Sequence, residues 1–151
     1  MCCFLLVLIT LLLSYNSHAA VEVNAWSRAT PPGGTSAAIY GRFTNMGDAP
    51  MTVTSVQVDF ADHAMVHDSW HEEGMASMQA GELVIPAASM VELKSNGKHI
   101  MLMGLSRRLR EGCKYSFRLG WSDSSTTLHR FSTGGIAQLT APKSSNSKPC
   151  K

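Results

Sequence analysis

The chain has 151 residues, enough for one domain with a substantial hydrophobic core and too few for two. Charged residues make up 16% and the formal net charge is +2, so the chain lacks the basic field that dominates nucleic-acid binding. Nine methionines and six histidines are the unusual feature, and their positions must decide whether they are core residues or ligands.

The N-terminal residues predict an export signal. An uncharged apolar run over residues 4–13 is followed by Ser17-His18-Ala19, a small-x-small pattern typical of a cleavage site, although no Lys or Arg precedes the run. The run is too short to span a bilayer comfortably. We therefore expect a signal peptide over residues 1–19, a periplasmic location and no stable membrane span after cleavage.

Short strands separated by turn residues predict an all-β domain over residues 20–135. Helical periodicity is nearly absent, and at most one helical turn is expected, at residues 105–111. Val53 is out of phase with the alternating apolar residues after it, which indicates a β-bulge. The strands are predicted at residues 21–26, 36–45, 52–60, 65–71, 75–79, 83–86, 90–93, 99–103, 114–121 and 126–131. This spacing indicates an antiparallel sandwich or barrel.

Residues 136–151 predict a disordered polar tail, because they are rich in Ser, Lys and Pro. The tail contains Cys150. After loss of Cys2 and Cys3 with the signal, only Cys113 would be left to pair with it. An exported chain can form such a disulfide. Neither cysteine belongs to a Cys-x-x-Cys pattern, and the sequence leaves the pairing open.

The segment His99-Ile100-Met101-Leu102-Met103 places soft donors on one side of a predicted strand. Alternate side chains of a strand share a face, so His99, Met101 and Met103 face one way while Ile100 and Leu102 face the other, toward the core. Taken alone, the segment favours a strand buried on both faces with the methionines as filler.

A second soft cluster changes this interpretation. By the same periodicity, His67 lies on one face of its strand, and the turn at residues 72–74 can return Met75 or Met78 toward it. Imidazole and thioether donors form a neutral soft set, which suits Cu(I) better than zinc, calcium or magnesium. Thioethers can be displaced one at a time, which suits capture and handover. Two histidines and two methionines from these clusters would give a four-coordinate Cu(I) site without a permanently charged ligand.

This spacing resembles the motif of the periplasmic copper chaperone family of the PCuAC type. That motif is a His, ten residues, a Met, about twenty-one residues and then His-x-Met; here ten residues separate His67 from Met78, and twenty separate Met78 from His99-Ile100-Met101. The flanking sequence agrees over nearly the whole mature domain. The agreeing positions are residues 24–31 and 37–40, Asn45, Gly74, and residues 99–105 and 109–112.

The resemblance implies a cupredoxin-like Greek-key barrel that holds Cu(I) near its surface. The predicted Cu(I) ligands are the motif residues His67, Met78, His99 and Met101. It also implies a copper-accepting partner, such as a cytochrome oxidase subunit receiving its binuclear copper centre, or a thioredoxin-like copper protein. The chain departs from the pattern in three places: the gap before His99 is one residue shorter, Cys113 stands where the family usually has an acidic residue, and no His or Met follows His129. A second copper site on a histidine-rich tail is therefore not expected.

Other soft or acidic residues nearby are predicted to be neighbours rather than ligands. His63 is expected to be solvated and His129 structural, while Trp70 either shields the metal or packs in the core. The acidic residues are expected to form a solvated turn, with one of them a candidate to orient His67 through its second ring nitrogen. The second-choice ligands are Met65, His71, Met75 and Met103, and the acidic candidates are Asp68, Glu72 and Glu73.

Two other functions stay open. A metal-free secreted accessory or adhesion sandwich would carry these residues incidentally, and a lack of Cu(I) binding would identify it. A blue-copper electron-transfer protein needs a cysteine thiolate beside two histidines, and Cys113 has no histidine close behind it. The chain lacks a Gly-x-Ser-x-Gly elbow, a His-Glu-x-x-His helix and evident paired carboxylates, so we expect a monomeric binding protein rather than an enzyme.

Overall fold

The computed structural model describes residues 21–143 and 148–150, and the predicted signal peptide lies outside them. The described residues are all-β, as predicted, and none of their segments is a helix long and apolar enough to cross a membrane. The strands are β1 Val21–Arg28, β2 Ser36–Asn45, β3 Met51–Gln57, β4 Ala61–Glu72, β5 Met75–Ala80, β6 Val84–Ile85, β7 Met90–Leu93, β8 Lys98–Leu105, β9 Cys113–Trp121, β10 Thr126–Gly134 and β11 Lys148–Pro149.

The sheet runs in the order β5-β4-β8-β2-β1-β10-β9-β3-β6, with β7 beside β2 and β11 beside β9. Most neighbours are antiparallel, as predicted, but β1 and β10 are parallel, and so are β11 and β9. The chain between β1 and β10 supplies the long crossover that a parallel pair needs. The register between β3 and β9 shifts between Val53 and Ser55, which confirms the predicted bulge.

The helical turn predicted at residues 105–111 is wrong. β8 continues to Leu105, and bends and a turn follow it. The backbone N–H of Leu109 donates to the hydroxyl oxygen of Thr30, and the N–H of Arg110 donates to the hydroxyl oxygen of Tyr115, both at 3.0 Å. Side chains from elsewhere in the fold thus satisfy these backbone donors, and no helical hydrogen bonds are needed.

The core lies on one face of β8 and β2. Ile100 and Leu102 are 0% exposed, and they pair in register with Ile39 and Ala37. The alternate residues of β8 consequently face away from this core, as the period of a strand requires. The largest fully buried side chains are Phe43, Phe117, Phe131, Ile39, Leu83, Ile85, Leu93, Ile100, Leu102, Leu109, Leu119 and Asn45.

The end of the polar tail differs from the disordered segment that its composition predicts. Cys150 forms a disulfide with Cys113, which is 4% exposed in the core. Lys148 and Pro149 pair in parallel with β9, and the Lys148 N–H donates to the carbonyl oxygen of Gly112 at 3.0 Å. The covalent link fixes these residues on the sheet, an effect that composition alone does not reveal.

Candidate metal centre

Two antiparallel strands, β4 and β8, bring the predicted histidines together. Their register places His67 directly opposite His99, and Met65 directly opposite Met101. Paired residues of antiparallel strands project from the same face of the sheet, with Cβ atoms about 4.5–5.5 Å apart. Val66, between the two donor positions of β4, is 7% exposed and belongs to the core. The soft donors His67, His99, Met65 and Met101 therefore share the face opposite the core, which we call the donor face.

His99 is held in one tautomer by the backbone. Its ring is 5% exposed, and its Nδ1 lies 3.1 Å from the carbonyl oxygen of Gly97. A carbonyl oxygen only accepts hydrogen bonds, so Nδ1 carries the proton and donates. The lone pair of the imidazole is then on Nε2. A metal-binding histidine usually has its second nitrogen fixed in this way.

His67 has a free nitrogen beside this ring. The ring centroids of His67 and His99 are 6.0 Å apart, and the ring planes are perpendicular. The Nδ1 atom of His67 is buried and has no hydrogen-bond partner among the described residues. Burial, and secondarily the neighbouring His99, lower the pKa of His67. The neutral imidazole is the form that binds a metal, and a buried nitrogen without a partner fits a ligand role.

The hairpin of β4 and β5 brings in Met78. Glu73 and Gly74 form its turn with positive φ angles of 49° and 82°, as a two-residue type I′ hairpin requires. The register places Met78 opposite Ser69, one pair beyond His67 on the donor face. Met75 pairs with Glu72 and lies three residues from Met78, so it faces the other side. The structure therefore places Met78, rather than Met75, on the same face as His67.

An open depression of about 400 Å³ collects the donors. Met78, His99 and Met101 all border it, while His67 adjoins it through its contact with His99. Met101 pairs with Ala38 of β2, whose small side chain leaves room above the sheet. The other bordering residues are Ala37, Ala38, Tyr40, Ser69, Trp70, His71, Ala76, Ser77 and Ser95. The four predicted ligands are thus gathered on one face of three adjacent strands.

Tyr40 forms an aromatic wall that the sequence reasoning did not assign. Its ring centroid lies 6.2 Å from that of His99 and 5.2 Å from that of Trp26, and the Arg28 guanidinium lies 5.5 Å from its centroid. Burial raises the pKa of the Tyr40 hydroxyl, and Arg28 partly opposes this. The side-chain period of β2 could have identified Tyr40 from the sequence. If the apolar Ile39 faces the core, the next residue must lie on the opposite face, which is the donor face.

The acidic residue closest to His67 in sequence does not orient it. The Asp68 carboxylate accepts hydrogen bonds from Lys98 Nζ at 2.7 and 2.9 Å. These two residues pair in register, on the face opposite His67. Glu72 and Glu73 are exposed at the hairpin end. Of the three acidic candidates, Asp68 therefore contacts Lys98 and not His67.

The remaining predicted residues divide between the rim and distant positions. His71 and Trp70 border the depression, and Trp70 is 38% exposed. His129 lies on β10 with its Nε2 2.6 Å from the Thr127 hydroxyl, consistent with a structural role. Cys113 is in a disulfide, so it supplies no thiolate for a blue-copper centre. His63 and Met103 pair with each other further along β4 and β8.

The donor set restricts the metals that fit. Within residues 21–143 and 148–150, no group of three or more His, Cys, Asp or Glu is placed to hold a metal ion. Zinc favours thiolate, imidazole and carboxylate, and calcium and magnesium need oxygen. Two imidazoles with thioethers fit Cu(I), which is the cargo that the sequence predicts.

Comparison with known proteins places this geometry in a family. The family described as "Putative lipoprotein LpqE-like" matches residues 21–131. A curated relative, the putative lipoprotein Lxx21020 of Leifsonia xyli subsp. xyli, is 35% identical over 105 residues, which are 68% of this chain and 62% of the relative. The chain therefore matches less than two thirds of that relative's length.

Solved structures share the fold. The solution structure of CuI-DR1885 from Deinococcus radiodurans is 28% identical, with a TM-score of 0.65, and the match covers 83% of this chain and 85% of that one. The apo PCuAC domain from PmoF1 is 19% identical, with a TM-score of 0.66 over 77% of this chain and 94% of that domain. The predicted cupredoxin-like fold is confirmed, and the chain belongs to the LpqE-like family, of the PCuAC copper-chaperone type that its sequence resembles.

Proposed function

We propose that the mature protein is a periplasmic copper chaperone, which binds one Cu(I) ion through His67, Met78, His99 and Met101 and transfers it to a recipient protein. The single observation that carries this proposal is the register of β4 and β8, which sets His67 opposite His99. Each imidazole has a nitrogen suited to a metal, because His99 Nδ1 is occupied by Gly97 and His67 Nδ1 is buried without a partner among the described residues.

The thioethers complete a site that can release its ion. Met78 is 52% exposed and borders the depression, so its sulfur is accessible to an incoming ligand. His99, at 5% exposure, is the most enclosed donor. An acceptor can therefore displace the outer methionine first and the histidines last, which keeps Cu(I) coordinated throughout the transfer.

Related proteins support copper as the cargo. The copper(I) form of DR1885 has this fold, and the predicted ligands of the present chain occupy the donor face described above. The proposed recipient is a copper-accepting protein such as a cytochrome oxidase subunit or a thioredoxin-like copper protein. We propose a monomeric role in binding and delivery, without catalysis, after export through the N-terminal signal peptide.

The test is a titration of the reduced mature protein with Cu(I) against a competing chelator. The Met78→Leu/Met101→Leu double variant preserves side-chain volume, so it should fold while losing both sulfurs. The matched control is Met46→Leu/Met90→Leu, since both residues are exposed and neither borders the depression. We expect the wild type and the control to bind one equivalent of Cu(I) tightly. The Met78/Met101 variant should bind Cu(I) with a much lower affinity. Equal affinity in all three proteins would refute the ligand assignment.

A further inference from the structure

The soft donors of β4 and β8 continue beyond the candidate metal centre. In register, His67 faces His99, Met65 faces Met101, and the next donor pair is His63 with Met103. The three pairs form a ladder on one face of the sheet, with every cross-strand position filled by imidazole or thioether. The pair of His63 and Met103 has no part in the four-ligand site proposed above.

Strand geometry separates the two ends of this ladder. Successive pairs on one face are two residues apart, or about 6.5 Å along the strand. The pair of His63 and Met103 is therefore about 13 Å from the pair of His67 and His99. One ion cannot contact both ends. Met65 and Met101, in the middle pair, lie about 6.5 Å along the strand from each end.

The outer pair is not part of the core. The residues that alternate with it, Ala64 and Leu102, pack into the core, and Leu102 is 0% exposed. His63 is exposed, Met65 is 39% exposed, and Met103 is half-buried. A strand whose methionines were only filler would bury them. The thioethers of Met65 and Met103 instead lie on the face of the sheet opposite the buried Leu102.

The outer pair has a small, uncharged neighbour on its other side. Met103 pairs on its other side with Ser36 of β2, a small residue that leaves space beside the sulfur. Asp62 alternates with His63, and its carboxylate lies against Gly104 rather than on the donor face. The available donors are therefore neutral and soft, a set that selects Cu(I) over zinc, calcium and magnesium.

We propose that His63, Met65 and Met103 form a second, more exposed Cu(I) position, from which the ion passes by way of the Met65–Met101 pair to the inner site. This inference rests on the proposed function, because it assumes Cu(I) as the cargo. Exposure decreases along the ladder from His63 to His99, which is 5% exposed. The outer position binds more weakly, since it has one imidazole where the inner site has two. At equilibrium the inner site therefore fills first, and the outer position releases its ion faster.

The experiment follows the methionine methyl groups by NMR while Cu(I) is added to the reduced mature protein. The first equivalent should shift the methyl signals of Met78 and Met101. The second equivalent should shift those of Met65 and Met103. The His63→Gln/Met103→Leu variant should keep the first step unchanged and weaken the second at least about tenfold, the lower end of what loss of a supporting group costs a metal site.

The control variant is Met46→Leu/Met90→Leu, which removes two exposed thioethers that belong to neither donor set. It should keep both binding steps. A second equivalent that fails to bind, or that binds without moving the Met65 and Met103 signals, would overturn the outer position while the first step stands. Failure of the first equivalent to shift Met78 and Met101 would instead overturn the proposed function itself.

Discussion

The imidazole rings of His67 and His99 lie perpendicular to each other, with centroids 6.0 Å apart, on paired positions of two antiparallel strands. The two residues are 32 positions apart in the sequence, yet the register of β4 and β8 fixes their relation at the level of the backbone. One ring is oriented by the carbonyl of Gly97, and the other has a buried nitrogen without a described partner. The register of the two strands thus places the two rings side by side.

Loss of either histidine should abolish tight Cu(I) binding. Loss of only an outer hydrogen-bond partner typically weakens a metal site about 10- to 100-fold, and loss of a ligand should exceed this. We expect His67→Ala and His99→Ala each to weaken Cu(I) affinity by more than about 100-fold in chelator competition. His129→Gln is the control, because His129 lies on β10 and does not border the depression.

The ion pair of Asp68 and Lys98 should be separable from copper binding. Their side chains are 35% and 27% exposed, and pairs of this kind contribute about 0.2–1 kcal/mol. We expect Asp68→Asn to lower the free energy of unfolding by less than about 1 kcal/mol and to leave Cu(I) affinity within about twofold. A large loss of affinity with little loss of stability would mean that Asp68 orients His67 after all.

Sequence periodicity predicted most of the donor face. Alternation alone placed His99 and Met101 opposite buried Ile100, and the same rule placed His67 on its strand. The alternation of side chains along a strand depends only on that strand. It can therefore be inferred from the sequence without knowing which strands are neighbours in the sheet. The spacing of the family motif favoured Met78 over Met75, and the two-residue loop at Glu73 and Gly74 places Met78 on the donor face.

Features that depend on distant parts of the chain were harder to predict. Tyr40 reaches His99 only because β2 lies beside β8, and the parallel pairing of β1 with β10 joins the two ends of the domain. The disulfide of Cys113 and Cys150 likewise joins the core to a segment whose composition indicates disorder. No local pattern encodes such long-range pairings, whereas the fold as a whole determines them.

Acidification should destabilise the copper-free protein. Burial lowers the pKa of His129, and burial with the neighbouring His99 lowers the pKa of His67, from a usual value of 6.5. As the pH falls through 6.5, the unfolded chain therefore takes up protons before the folded one. We expect the free energy of unfolding, measured in urea, to be highest above this pH and to decrease below it until the folded-state pKa values are passed.

His129 provides the specific variant for this effect. Trp121 Nε1 donates to the Thr127 hydroxyl oxygen at 2.7 Å, and that hydroxyl lies 2.6 Å from His129 Nε2. A neutral Nε2 can accept the hydroxyl proton, whereas a protonated one cannot. His129→Gln should therefore reduce the loss of stability between pH 7.5 and 5. An unchanged pH dependence in His129→Gln would exclude this hydrogen-bonded chain as its source.

Reduction of the disulfide should destabilise the fold without weakening copper binding. The bond joins positions 37 residues apart, and native disulfides of this kind typically contribute about 2–4 kcal/mol, chiefly by restricting the unfolded chain. We expect the Cys113→Ala/Cys150→Ala variant to lose a stability of this size in urea unfolding. Because the substitution of Cys113 also removes a buried sulfur, reduced wild-type protein is the companion measurement.

Copper affinity should be unaffected because the disulfide is remote from the donor strands. Cys113 lies on β9, and β2, β1 and β10 intervene between β9 and β8 in the sheet. Local release of Lys148 and Pro149 from β9 therefore leaves the register of β4 and β8 intact. Chelator competition should give the same Cu(I) affinity for the oxidised and reduced proteins at temperatures where both are folded. A lower affinity after reduction would show that the tail is coupled to the site, and an unchanged free energy of unfolding would show that the bond does not anchor the fold.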